Sequence, residues 1–536
     1  MSSSTAWTAA FAVIVITAGT ILWRYRDGGN RLPLPPGPTR LPIIGNLLNL
    51  PRKQLGPALR DMGKQYGDVM YFDLFGQPMI VLNSYDAAVD LLDTRSLNTS
   101  DRPRIVMAEL CGLMWQFGFL GYTQKWRQRR RVFHQTFQPS AIPKFRPIHV
   151  RECHRYLRKL LDTPERFLTL ARHEFGATIM DAVYGIKVLD NDDPYLKMAE
   201  KDTEIFSEIF MPGRYLVELL PFLKHVPAWF PGAKFKRDAA LWEPHASSVR
   251  HVPYNATLEA IARGDTCGSM VASLVDQAMQ KEERLSPSDD ACFRDAAGLA
   301  YVTGADTTTH SMQAFFLAMV QYPEAQKKAQ EELDAVIGLD RLPEFTDRDS
   351  LPYVNAVVKE VTRWHTVVPL GLWHRAVNED QWNGYRIPAG SIIMPNQWAM
   401  SRDPKAYPAP DRFLPERFLE ASEDGTGTAR DPEKFQFGFG RRHVPSSVQC
   451  SRRDLVTDGL YHRICPGRHF SNDALFMTVA SLLHVFNIEA PLGEDGRPVP
   501  VAPAIALDSF LSHPEPFQCK ITPRSDRAAA LIRSAS

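Results

Sequence analysis

Three features of the sequence predict a mainly α fold with minor β, built as one large domain around a long central helix and preceded by one transmembrane helix. A periodic apolar run from about Ala291 to Gln321, roughly 30 residues, is far longer than an average helix and must cross a whole domain. Residues 50 to 520 contain no long linker or low-complexity tract, so one domain is a better reading than the three or four that length alone suggests. Thr5 to Trp23 carry no charge and are dominated by Ala, Val, Ile and Phe, and about 20 such residues cover the ~30 Å hydrocarbon core of a bilayer.

The N-terminal elements follow in order. Residues 1–4 form a short lumenal N-terminus and 5–23 the anchor. Residues 24–46 are a basic flank and proline-rich hinge, and 47–536 the main domain. Arg24, Arg26 and Arg31 follow the apolar run and no Lys or Arg precedes it, which places the downstream chain in the cytosol and predicts a single-pass protein of the endoplasmic reticulum membrane. A cleaved signal peptide would need its basic residues on the other side. In this orientation the sequons at Asn98 and Asn255 escape glycosylation. Leu32-Pro33-Leu34-Pro35-Pro36-Gly37-Pro38 reads as a stiff extended spacer.

Within the domain, Ser288, Asp289 and Asp290 precede the long helix and Pro323 ends it. Pro323 opens a second helix to Gly338, with Lys327 and Lys328 four residues before Glu331 and Glu332 on a solvated face. A third helix runs from about Tyr353 to His365. Tyr385 to Met394 reads as a hairpin turning at Pro388-Ala389-Gly390. With 62 basic and 61 acidic residues the net charge of +1 gives no global field for nucleic acid. The seven cysteines are odd in number and lack CxxC spacing, which fits a reducing compartment.

Four motifs carry chemistry. Arg463-Ile464-Cys465-Pro466-Gly467-Arg468 and the upstream Phe437-Gly438-Phe439-Gly440-Arg441-Arg442 together supply a glycine turn, a basic residue and a helix start behind a thiol, the requirements of a thiolate metal ligand. Cys450, in Gln449-Cys450-Ser451-Arg452, has positive charge nearby but neither glycine turn nor apolar helix. Thr303-Gly304-Ala305-Asp306-Thr307-Thr308 places unfavourable residues in mid-helix, as either a packed kink or a site. Glu360 and Arg363, at i,i+3, share a helix face and by spacing alone are an ordinary surface pair. Trp126 and Arg130 share a face of a helix whose other arginines make either a local basic patch or a solvated face.

In this order along the whole chain, these motifs resemble the membrane-bound fungal type of the cytochrome P-450 superfamily, the haem-thiolate monooxygenases. The family pattern FxxGxRxCxG is met by Phe437, Gly440, Arg442, Cys465 and Gly467 once the 21 residues 443–463 are set aside. The resemblance implies haem b with Cys465 as axial thiolate and sole protein ligand of the iron. It implies propionate contacts from Trp126, Arg130, Arg442 or Arg463 and Arg375, and oxygen activation by Thr307 with Asp306 relaying protons beside a widened helix turn. It also implies a buried scaffold of Glu360, Arg363 and Arg417. The implied partners are an NADPH-cytochrome reductase docking on the Arg127–Arg131 face, the membrane, and a lipophilic small-molecule substrate such as a terpenoid or aromatic secondary metabolite, with no nucleic acid. Met107–Gly121, Ala300–Thr303 and Val367–Leu372 are the expected pocket segments, with Leu475, Met477, Val479, Leu482 and Leu483 beneath the macrocycle. Rival readings are a reductase-independent haem-thiolate peroxygenase or isomerase, and a haem-less, inactive product of an unspliced transcript. The last rests on residues 443–463: codons at Arg442-His443-Val444 and His462-Arg463 permit splice borders, and the in-frame deletion restores the family loop without a mismatch.

Overall fold

The computed structural model describes residues 32–211, 213–265, 268–282, 284–419, 429–440 and 463–535. The anchor at 5–23, Arg442 and Cys450 lie outside them. Among the described residues no helix is long and apolar enough to cross a membrane. The helices that position the site are α1 (Gln124–Phe137), α2 (Arg146–Asp162), α3 (Phe167–Tyr184), α4 (Pro194–Phe210), α5 (Pro287–Gln321), α6 (Pro323–Val336), α7 (Pro352–Trp364) and α8 (Arg468–Val485).

Helix α5 is the central one. At 35 residues it is about 52 Å long, and it is buried on all faces along most of its course. Its start differs from the sequence expectation: the N-cap is Ser286, whose Oγ accepts from Asp289 N at 3.1 Å, with Pro287 in the first turn, so Ser288 lies inside the helix. The C-terminal half packs Phe315, Phe316 and Met319 against Phe167 and Phe175 of α3, Val354 and Val358 of α7, and Phe476 and Leu483 of α8. Gly304 sits where α5 crosses α3. A Cβ there would fall 2.9 Å from Ile179 Cγ1, so helix contact alone requires the glycine.

The strands β1 (Val69–Leu74), β2 (Gln77–Leu82), β3 (His374–Arg375), β4 (Asp380–Trp382), β5 (Tyr385–Ile387) and β6 (Ile392–Pro395) form a sheet of order β1-β2-β6-β3 and a separate β4-β5 pair. The predicted hairpin at Pro388-Ala389-Gly390 does not form. The hairpin is β4-β5, closed by Asn383 (φ 47) and Gly384 (φ 80), the Asn-Gly turn whose two left-handed residues match strand twist. Strand β6 instead pairs parallel with β2 and antiparallel with β3. The proline-rich segment is laid on these strands, with Pro33 O accepting from Arg386 N and Pro36 O from Tyr71 N, each at 2.8 Å.

One predicted surface arrangement is different in the fold, and the Glu360–Arg363 pair, which spacing alone would leave on the surface, is buried as the family resemblance implies. Lys328 pairs with Glu416 at 2.6 Å rather than Glu332, whose carboxylate caps α7 by accepting from Tyr353 N and Val354 N. Lys327 and Glu331 are 3.9 Å apart on the solvated face. Glu360 and Arg363 are fully buried, joined by two hydrogen bonds of 2.8 Å that Nε and Nη2 on one guanidinium edge donate to the two carboxylate oxygens. The other Arg363 N–H groups donate to the carbonyls of Ser401, Pro410 and Arg412. Glu360 Oε1 also accepts from Leu414 N and from Arg417 Nε at 3.2 Å. With every proton placed, the cluster ties α7 to the chain on either side of residue 410.

Arg363→Ala should destabilise the fold by roughly 3–5 kcal/mol, because it leaves the buried Glu360 carboxylate without its main cation and removes the donor of the Ser401 and Pro410 carbonyls, whereas Lys64→Ala, at an exposed pair with Asp61, should stay within about 1 kcal/mol. Guanidinium unfolding midpoints of the two variants test this; equal shifts would refute the scaffold role.

Candidate functional site

Cys465 lies at the end of a loop assembled from two distant pieces. Cys465 N donates to Phe437 O at 2.8 Å, and Arg463 N donates to Gly440 O at 3.0 Å, so the two halves are stitched together although 22 residues separate Gly440 from Arg463 in the chain. Gly440 has φ 101, and a Cβ on it would meet Arg463 Cβ at 2.7 Å, so no larger residue fits. Gly467 caps α8, whose N-terminus lies behind the thiol. Cys465 lines a large cavity in the fold. Burial pushes its pKa up, while backbone N–H of Gly467 and the charges of Arg130 and Arg468 oppose this.

One wall of the cavity holds three buried arginines. Arg130, on α1, donates to Ile464 O at 2.8 Å and leaves its buried Nε without a partner. Arg463 donates to Ser100 O and Leu120 O and stacks on the Trp126 ring at 4.2 Å. Arg102 donates to the carbonyls of Leu372 and Trp373 at 2.9 and 2.7 Å. Burial lowers Arg102 and Arg130 to about 10, and Arg463 is driven well down by burial with Arg102 beside it. All three rest on neutral carbonyls, and among the described residues the carboxylate beside them is Asp101. His374 completes the wall, its Nδ1 at 2.8 Å from Thr99 O. An orphaned buried N–H and an excess of buried positive charge fit a dianion, as the two propionates of haem would be, with Cys465 Sγ as the axial donor.

The opposite wall comes from α5. Ala300, Thr303 and Thr307 face the cavity, joined by Gln116, Phe117 and Phe119 and by Val367, Val368 and Leu372. Helix α5 runs through residues 303–308 as continuous α-helix, without the expected widened turn; Thr303 and Thr307 donate their hydroxyls to the carbonyls of Leu299 and Thr303, each four residues back. Asp306 is turned away from the cavity. It accepts from Thr203 Oγ1 and lies 3.4 Å from Arg172, which also pairs with Glu200 in a polar cleft opening outward. Burial raises the Asp306 pKa and Arg172 opposes the rise.

Trp126, Arg130, Phe437, Gly440, Arg463, Cys465, Gly467 and Thr307 therefore converge on one cavity or its loop, and Glu360, Arg363 and Arg417 join away from it. Arg375 does not converge. Neighbouring strand residues point to opposite faces, so His374 takes the cavity while Arg375 is exposed and 3.3 Å from Asp101. Arg129, expected on a docking face, turns inward to Asp295 at 2.6 Å, leaving Arg127 and Arg131 exposed. Of the helix expected beneath the macrocycle, Leu475 lines the cavity, while Met477, Val479, Leu482 and Leu483 belong to the core of the fold. Met107 and Ala108 likewise pack in a separate apolar cluster. The sequence reading missed Arg102, His374, Asp202, Thr203, Phe206 and Phe510; only His374, beside Arg375, carried a local signal.

A model of the cytochrome P450 family matches residues 35–443. A cytochrome P450 monooxygenase of Coprinopsis cinerea is 39% identical over 547 residues, covering 99% of this chain and 100% of its own. One of Armillaria gallica is 37% identical over 532 residues (98% and 99%). The tryptamine 4-monooxygenase of Psilocybe cyanescens is 35% identical over 518 residues (96% and 97%).

If the buried arginines hold the propionates, Arg102→Met should speed loss of haem to apomyoglobin by at least about tenfold, the worth of one charge-assisted bond. Arg375→Met should change that rate far less. Equal rates in the two variants would remove Arg102 from the haem site.

Proposed function

The chain belongs to the cytochrome P450 family and is a P450 monooxygenase, and we propose that it oxidises a lipophilic small molecule, a secondary metabolite such as a terpenoid or aromatic compound. The reaction uses O2 and electrons from an NADPH-dependent reductase. The observation that carries this reading is the single cavity that holds Cys465 on one side, the Thr307 hydroxyl on the other and three unneutralised arginines at its edge.

Cys465 would hold haem b, with Arg102, Arg130, Arg463 and His374 on its propionates, and the group would supply the activation of dioxygen, the thiolate donating electron density to the iron. The protein does the rest. Thr307 donates to Thr303 O, which leaves its oxygen lone pairs to accept a hydrogen bond from a water or a protonated group in the cavity. Asp306, Thr203 and Arg172 form a polar chain between the back of that helix turn and the outer cleft, a route for protons that does not open the apolar cavity to water. Phe117, Phe119, Val367, Val368 and Leu372 exclude water from the reacting face. The exposed Arg127 and Arg131, together with Lys125, support docking of an acidic reductase, against a peroxide-driven enzyme that needs none. Residues 5–23 would hold the domain on the endoplasmic reticulum membrane, facing the cytosol.

A second reading concerns residues 443–463, and the Gly440–Arg463 hydrogen bond favours it. The two ends of the loop meet directly at Gly440 and Arg463, so the loop does not need a long connection between them, and the family match ends at residue 443. We read the segment as a retained intron and not as part of the active enzyme.

Three measurements bear on these proposals. Cys465→Ser should abolish the thiolate-type ferrous–carbon monoxide spectrum and all oxygenation, while Cys450→Ser keeps both; loss in the Cys450 variant would reassign the ligand. Deletion of 443–463 should retain or strengthen that spectrum, and a spectrum confined to the full-length chain would sink the intron reading. Thr307→Ala should leave haem bound but divert NADPH-derived electrons to peroxide, raising the peroxide-to-product ratio on the order of tenfold; unchanged coupling removes Thr307 from the proton path.

A further inference from the structure

Asp202, on α4, is the one acidic side chain among the described residues that line the haem-side cavity. It is 3% exposed and no cation among the described residues pairs with it. The arginine nearest this end of α4, Arg172, is committed to Asp306 and Glu200, and Lys201 to Glu204. Glu200 and Asp306 thus take up that guanidinium, and Asp202, which no ion pair reaches among the described residues, faces the cavity. Burial and the charge of Asp306 raise the Asp202 pKa to about 7, with the Gln116 amide opposing the rise. Gln116 itself is 1% exposed, lines the same cavity, and its buried Nε2 makes no well-formed hydrogen bond. A buried carboxylate without a cation, beside a buried amide and facing the same cavity, makes a polar pocket in an otherwise apolar wall.

The surroundings describe the rest of the ligand. Phe206, one turn beyond Asp202 on α4, stacks on Phe210 at 4.2 Å and meets Phe119 and Phe510 at 5.4 and 4.9 Å. Phe119, Phe206 and Phe510 all line the cavity. Ring faces next to a carboxylate attract a cation and a flat apolar body together.

Resting on the monooxygenase reading, we propose that the substrate is an amphipathic amine whose protonated nitrogen is bound by Asp202 while its apolar, flat portion lies against the Phe119–Phe206–Phe510 wall. Asp202 then acts as the specificity-determining residue. An ammonium group supplies the charge that the protein withholds from this carboxylate, and a neutral molecule of equal shape leaves it buried and unpaired.

The test uses the haem-loaded full chain at pH 8, where Asp202 is ionised and an alkylamine is protonated. The probes are N,N-dimethyl-4-phenylbutylamine, a tertiary amine too crowded to ligate iron well, and its uncharged isostere with CH in place of nitrogen. Calorimetric affinities should favour the amine by at least about tenfold, and Asp202→Asn should bring the ratio close to one. Equal affinities in the wild type overturn the proposal whether or not the variant folds, and so does a ratio that persists in a haem-containing Asp202→Asn protein. Oxidation of the neutral probe together with the carbon monoxide spectrum reports on the monooxygenase reading separately. If both are present with a ratio of one, only the amine proposal falls; if neither is present, the monooxygenase reading falls and takes the proposal with it.

Discussion

Three guanidinium groups kept out of water around one cavity set the terms for the rest of the site. Arg102, Arg130 and Arg463 come from three separate stretches of chain, and each is held by main-chain carbonyls rather than by acids. Carbonyl dipoles orient a buried guanidinium without neutralising it, so the wall retains positive charge that a dianion can balance. The positions of α1, of the Cys465 loop and of β3 follow from the need to bring those side chains together. The same wall fixes the thiolate, because Arg130 grips Ile464 O, the residue before Cys465.

The Glu360–Arg363 cluster solves the opposite problem. There, two fully buried charges face each other, every guanidinium N–H has an acceptor, and Arg417 adds a second cation to the same carboxylate. A satisfied buried pair is inert and rigid. Arginines left partly unsatisfied at the cavity, by contrast, are a standing demand for a ligand. The contrast separates scaffold from site within a single chain, and the Asp202 corner, with its spare carboxylate, belongs with the second kind.

The fold was legible from sequence wherever the signal was local. The proline-opened helices α6 and α7 begin within a residue of their expected starts, because Pro at the first turn acts on its own neighbours. The sequence reading starts α5 after Ser288, whereas the cap is Ser286, because Pro287 fixes the first turn. It puts the hairpin turn at Pro388-Ala389-Gly390, whereas Asn383-Gly384 is the pair that takes left-handed backbone at both turn positions. Spacing put Glu360 and Arg363 on one face but is silent about what covers that face. The distal wall was least legible: Asp202, Phe206 and Phe510 meet across some 300 residues of chain, through the packing of α4 against the C-terminal segment, and no short pattern encodes such a meeting.

The inserted segment shows how little a fold is constrained by what leaves and re-enters it at one point. Gly440 and Arg463 are hydrogen-bonded neighbours, so whatever joins them need only begin and end there. Closing a loop of that length costs on the order of 3 kcal/mol in chain entropy, a sum a large core can absorb. The borders have a further property. Arg442 and Arg463 are both arginine, so removing 442–462 or 443–463 produces the same protein, Gly440-Arg-Arg-Ile464-Cys465. In the full-length chain Arg463 fills the place before Ile464-Cys465; in the shortened one Arg442 would fill it, with the same guanidinium available to Ser100 O, Leu120 O and the Trp126 ring. The arginine that the haem-binding wall needs before Ile464 is therefore supplied with or without the segment.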